Sequence, residues 1–253
     1  NAGRDNYRNL MIYISNDFLK LSSVTAKPPT IVPSVGLYHY DFPGLVTVDE
    51  DAFFKYLAIG QNQPVIAIGI HRSVVDYEQQ QIVDALLKGL EAKGAKALAY
   101  FFEGEDEPMN FIDLLSVETE KGLDSRVDLL INYRSLHFVA KRRDEFEKLG
   151  VPVLHALNYT EGDQLSFEND NSGISPSLTP FFLVMPEDTG SSDPTIIAAK
   201  GTGNKKGEKV VIDYQLNALV ERAYNHANLA HVKNSEKKIA TFIWNYPPGE
   251  KNI

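Results

Sequence analysis

A chain of 253 residues, 43% of them apolar, has room for one large or two small domains around a sizeable core, and wholesale disorder is excluded. The formal net charge of −9 argues against a nucleic-acid surface, which needs clustered Lys and Arg; the compact basic run Lys141-Arg142-Arg143 is followed at once by Asp144 and Glu145 and reads as a solvated helix face. With no cysteine, disulfides, thiolate-bound zinc, iron–sulfur clusters and thiol catalysis are all excluded.

In chain order, apolar residues at Leu10, Met11, Ile14, Phe18 and Leu21 recur at helical spacing and predict a helix over 5–21. The proline-rich stretch 27–33 breaks regular structure, 36–43 reads as a short loop or strand exit, and 49–59 as a short helix. Residues 65–70 form a continuous apolar run, expected of a strand buried on both faces. An amphipathic helix follows over 77–93, with Ile82, Ala85, Leu86 and Leu90 on one side and Gly94 at its end. Strands are then predicted at 97–102, 128–131 and 153–157, with helical segments at 111–115 and 137–149 between them. Strand and helix alternate about every 25–32 residues, the rhythm of βαβ units in a doubly wound, mainly parallel α/β sheet of the flavodoxin or Rossmann type.

Beyond 157 the pattern changes to a long polar loop over 158–178, strands at 181–185 and 195–199, a Gly/Lys loop over 200–208, a helix over 214–230 and a last strand over 238–244. The expected division is an N-terminal helical and loop segment over 1–63 that completes a second α/β lobe, a parallel-sheet domain over 64–180, and strands and a helix over 181–253 leading into a truncated next domain. No apolar run reaches the roughly 18 residues a membrane helix needs.

Ligands of open α/β sheets bind beyond the carboxyl ends of the strands. That rule selects His71 and Arg72 after the first strand, Glu103 and Glu105 after the second, Asn132, Tyr133 and Arg134 after the third, and Asn158 and Tyr159 after the fourth. Their cationic, amide and phenolic groups suit an anionic or carboxylated ligand; loop polarity and capping are the plain alternative. Tyr38-His39-Tyr40-Asp41 offers an imidazole, a metal ligand or proton carrier, between aromatics able to stack on a planar macrocycle; equally, it reads as a hydrogen-bonded turn with core tyrosines. His155, inside a strand, reads as a buried, satisfied histidine. His226 and His231 stand roughly 140° apart on a helix and do not form a zinc-binding pair. Glu187-Asp188 guides a cation or solvates a turn. The stretch 201–207 lacks the Lys-Ser/Thr ending of a Walker A loop, and neither GxSxG nor HExxH occurs.

Five stretches, taken together, resemble the CobN / magnesium-chelatase large-subunit family. They are Gly36-Leu37-Tyr38-His39 with Pro43; the strand, Arg-containing turn, helix and strand over 64–102; Gly150-Val151-Pro152-Val153-Leu154; 171–176 with Pro186-Glu187; and 238–249, ending in Asn245-Tyr246-Pro247. Each motif alone is weak, and the order and spacing of all five carry the likeness. His71 departs from it, standing before Arg72 where many members are expected to carry an aliphatic or aromatic residue.

The resemblance implies a fragment of a tetrapyrrole-binding subunit that inserts cobalt into a corrin precursor, with magnesium insertion into a porphyrin or haem chemistry of the HmuS type as related activities. It implies a tetrapyrrole and a divalent metal (Co, Mg or, in the haem type, Fe) as substrates, and ATP hydrolysis supplied by separate AAA+ partner subunits. Tyr38, His39, His71, Arg72, Asn132 and Arg134 become the expected macrocycle contacts, with Glu187 and Asn245 behind them and His39 as a metal ligand. The compartment is then the cytoplasm, or the cell envelope for the haem type. A non-catalytic ligand-binding module and a scaffold for partner subunits remain as readings from other classes.

Overall fold

The computed structural model describes residues 3–21, 24–103, 111–134 and 139–242. Helix α1 (Arg4–Asp17) buries none of its side chains. Two short strands follow, β1 (Gly36–Tyr38) and β2 (Val46–Thr47), then helix α2 (Glu50–Leu57), whose first turn is capped by the Asp49 side chain. The central strand β3 (Val65–Ile70) is buried at every residue, as its unbroken apolar run predicts. It leads through α3 (Ser73–Asp76) and α4 (Gln81–Ala92) to β4 (Lys96–Phe101).

Helix α5 (Phe111–Leu115) and the hairpin β5 (Ser116–Thr119) and β6 (Gly122–Ser125) precede β7 (Leu129–Asn132). Helix α6 (Val139–Leu149) leads to β8 (Val153–Asn158). After α7 (Gln164–Glu168), a π-helical turn (Pro180–Val184) and α8 (Met185–Asp188) come β9 (Ser191–Lys200), β10 (Lys209–Val211) and α9 (Asp213–Asn228).

One eight-stranded sheet, in the order β10-β9-β8-β7-β3-β4-β1-β2, draws on all three stretches 1–63, 64–180 and 181–253. Strands β4, β3, β7, β8 and β9 are mutually parallel, while at the margins β1 pairs antiparallel with both β4 and β2, and β10 pairs antiparallel with β9. Numbered by chain position, the parallel strands stand in the order 2-1-3-4-5. The fold is therefore α/β, with a mixed, mostly parallel sheet and flanking helices.

Alternating side chains build two cores. Ile66, Ile68, Ile70, Ala97, Ala99 and Ile131 pack under α4 and α9. Val65, Ala67, Leu98, Tyr100 and Leu130 pack with α2, α5 and α6 on the other face. Two glycines permit close packing. A Cβ on Gly69 would come within 2.7 Å of the hydroxyl of buried Tyr100, its register partner on β4; one on Gly89 would meet Val220 at 3.0 Å where α4 lies beside α9.

Three predicted elements are corrected. The helix predicted over 77–93 begins only at Gln81, because Glu78 takes a left-handed φ of 55° between it and a separate helical turn, α3, that the sequence does not reveal. The strand over 181–185 is helical: proline at the first helical position suits that turn, and an apolar run of five does not distinguish strand from helix. Phe181 and Val184 are each 56% exposed, which a buried strand would not allow. Residues 238–242 carry no regular structure where a strand was expected. Glu105, His137, Trp244 and Asn245 lie outside the described residues. Among the described residues, no helix is long and apolar enough to cross a membrane.

Candidate functional site

The expected site residues divide between the two edges of the sheet. At the carboxyl edge, Arg72 follows β3, and its Nη1 donates to Glu103 Oε2 beyond β4 at 2.6 Å. Its Nη2 donates to the carbonyl of Val32 at 2.8 Å, so one guanidinium ties together two strand ends and the segment that enters β1. Its Nε is buried and has no acceptor among the described residues. His71 is exposed, with Nδ1 accepting from the Ser73 backbone N–H at 3.1 Å and 2.7 Å from the Ser73 hydroxyl.

One strand over, Arg134 donates to the carbonyl of Phe102 at 2.9 Å and lies 3.9 Å from the centre of that ring. Burial pushes its pKa down to about 10, which leaves it charged at neutral pH. Arg142, buried and paired with buried Glu145 at 2.8 Å, approaches the same ring at 4.6 Å, so the run read as a solvated helix face turns these two residues inward. Asn132 is 1% exposed and belongs to the interior, donating to His155 Nδ1 at 3.0 Å and to the Arg134 carbonyl at 3.3 Å. This fixes the His155 proton on Nε2, which is turned toward the Phe182 backbone without a well-formed hydrogen bond. Burial holds the His155 pKa down to about 4, so the ring is neutral at physiological pH.

Tyr38 and His39 lie elsewhere. Strand β1 runs antiparallel to β4, so the chain leaves Tyr38 toward the amino ends of the parallel strands. There His39 accepts the Asp41 backbone N–H on Nδ1 at 3.1 Å, which places its proton on Nε2 for donation to Glu91 at 2.9 Å. Tyr40 stacks on the imidazole at 4.4 Å between centres and donates to the other Glu91 oxygen at 2.5 Å. Tyr38 donates to Asp84 at 2.6 Å. Positions 84, 88 and 91 share one face of α4, and Lys88 sits 4.8 Å from the centre of the Tyr40 ring. The Tyr-His-Tyr run thus clasps β1 to α4, with both imidazole nitrogens engaged. Glu187, exposed on α8 just ahead of β9, is also at the amino edge. Among the described residues, no group of three or more His, Cys, Asp or Glu could hold a metal ion.

A recess of about 270 Å³ opens past the carboxyl ends of β7 and β8, lined by Tyr133, Arg134, Asn158, Tyr159, Phe182, Lys200 and Lys209 among others. The Tyr133 hydroxyl donates to Asn158 Oδ1 at 2.5 Å. Four of these residues follow from the carboxyl-end rule. The two lysines do not: Lys200 opens the loop read over 200–208, and Lys209 falls between that loop and the helix expected over 214–230. Extending the strand over 195–199 by one residue would have put Lys200 at a strand end. Lys209 is recognisable only once β10 is seen to turn back along β9, which makes the two lysines register partners.

The chain is thus an α/β protein with basic side chains at the carboxyl edge of a mostly parallel sheet, the edge at which open α/β sheets carry their ligands. The whole chain, residues 1–253, matches the CobN/Magnesium Chelatase family, and it belongs to that family. It is 24% identical over 275 residues to the H-type subunit of magnesium chelatase from Rhodobacter capsulatus, covering 98% of this chain and 22% of that protein. It is 23% identical over 201 residues to the aerobic cobaltochelatase protein CobN of Sinorhizobium sp, covering 74% of this chain and 15% of the relative. In fold it resembles the catalytic subunit of cobaltochelatase from Mycobacterium tuberculosis, with a TM-score of 0.66, 19% identity, and coverage of 93% of this chain and 19% of that one. The chain thus spans about a fifth of the length of the curated relatives it matches most fully.

Proposed function

We propose that this chain is a portion of the tetrapyrrole-binding large subunit of an ATP-dependent metal chelatase, and that its carboxyl-edge crevice faces the macrocycle. The observation that carries the reading is the family match over all 253 residues. The strand order 2-1-3-4-5 supports the location, since it is the order of flavodoxin-like sheets, whose ligand crevice lies between the first and third parallel strands. Here those strands are β3 and β7, which end in His71-Arg72 and Tyr133-Arg134. The buried Arg72 Nε supplies a donor still lacking an acceptor among the described residues.

On this reading Arg72 and Arg134 orient the macrocycle through its acidic side chains, and His71 borders the same opening. The divalent metal, cobalt or magnesium, is a substrate. His39 is not given the ligand role expected of it, because both its nitrogens serve the clasp onto α4. ATP hydrolysis belongs to separate AAA+ partner subunits.

Absorbance titration of the full gene product with a porphyrin or corrin free acid tests the reading. A shift saturating at micromolar ligand, weakened at least tenfold by Arg72→Met, is expected. No shift, or equal affinity in wild type and R72M, would sink it.

A further inference from the structure

The recess at the ends of β7 and β8 has a charge arrangement that the fold itself does not require. Lys200, the last residue of β9, and Lys209, the first of β10, are register partners, so their side chains leave the same face of the sheet directly opposite one another. Like charges in that position oppose strand pairing, and Arg134 adds a third cation to the lining. No carboxylate lines the recess among the described residues, in a chain whose net charge is −9. Desolvation alone draws the Lys209 pKa below the ordinary lysine range, although the residue as a whole keeps contact with solvent. Aromatic walls stand beside the cations: Tyr133 and Tyr159 are buried, and Phe182 comes from the π-helical turn. Two acids close in sequence to the tyrosine wall are engaged elsewhere, Asp170 accepting from the Tyr159 hydroxyl at 2.8 Å and Glu161 from Thr160 at 3.0 Å.

We propose that this recess is an organic-acid subsite, in which Lys200, Lys209 and Arg134 hold a carboxylate while Tyr133, Tyr159 and Phe182 pack on the apolar body that carries it. The volume of about 270 Å³ exceeds what a bare carboxylate or phosphate fills, which favours an acid borne on a hydrophobic group. Three cations around one anion relieve their mutual repulsion on binding, so affinity falls as salt rises. Identifying the acid with a side chain of the macrocycle rests on the chelatase reading; the existence of the subsite does not.

The test uses 2-naphthoate, its neutral analogue 2-naphthylmethanol, and a porphyrin as free acid and as methyl ester. Each is titrated by calorimetry and amide NMR into wild type and the double variant Lys200→Gln/Lys209→Gln. Both substituted residues are exposed, and circular dichroism checks that the variant is folded. Naphthoate is expected to shift the amides of 133–134, 158–160, 200 and 209 and to lose at least tenfold in affinity in the variant, while the alcohol does not bind. Shifts confined to other residues, no naphthoate binding, or equal affinity in the variant would overturn the subsite. Naphthoate binding at the recess without porphyrin binding leaves the subsite standing and removes the chelatase reading. Porphyrin acid and ester binding equally well to both proteins does the reverse.

Discussion

Two histidines show how much a single residue's role depends on partners far away in sequence. His155 was legible as buried, because alternation sets it with Val153 and Leu157 on one face of a strand. Its partner Asn132 instead reads as a candidate ligand contact, because nothing local reveals that two polar side chains on neighbouring strands will meet at 3.0 Å. The pairing has a pH consequence. With a folded pKa of about 4 against an ordinary 6.5, His155 takes up a proton more readily in the unfolded chain. Its contribution to stability is therefore fully present above pH 6.5 and declines as pH falls from 6.5 toward 4, by at most about 3 kcal/mol. Urea unfolding between about pH 7.5 and 4 should show that decline in wild type, and the slope should flatten in His155→Gln. An unchanged profile in H155Q would place the acid sensitivity in other groups.

Elements with a strong local signature were predictable, and those decided by distant partners were not. Apolar runs, unbroken in β3 and 97–101 of β4 and interrupted only by His155 in β8, and the stripe of Ile82, Leu86 and Leu90 in α4 made these elements legible, because burial on a regular lattice leaves a periodic trace. Strands β1 and β10, of three residues each, are too short for periodicity to reveal, and their antiparallel direction is set by the chain reversals beside them. That direction decides the place of His39. Its motif sets His39 among the site candidates, whereas the reversed β1 carries it toward the amino edge and into the Glu91 clasp. His39→Ala removes one hydrogen bond to a carboxylate and the stack on Tyr40. It should cost about 1–3 kcal/mol in unfolding free energy and leave macrocycle affinity within about twofold. Paired denaturation and titration measurements check this. A large loss of affinity with unchanged stability would return His39 to the binding site.

At the scale of the whole molecule, the alternation of strands and helices was enough to anticipate an α/β chain, and the ordered motifs were enough for the family. The separation of the candidate residues into two edges was not legible, because for Tyr38 and His39 it depends on the direction of β1 at the sheet margin, and for Glu187 on 181–185 being helical and leading into β9. The same is true of the basic recess, assembled from β7, β8, the π-helical turn, β9 and β10 in a chain of net charge −9. The central claim is that ligand engages the carboxyl edge. Hydrogen–deuterium exchange of the full gene product, with and without saturating tetrapyrrole, tests it most directly. Protection is predicted at 71–73, 133–134, 158–160 and 200–209, with 39–45 and 185–190 unchanged. Protection confined to the amino-edge segments, or none within this chain, would contradict it.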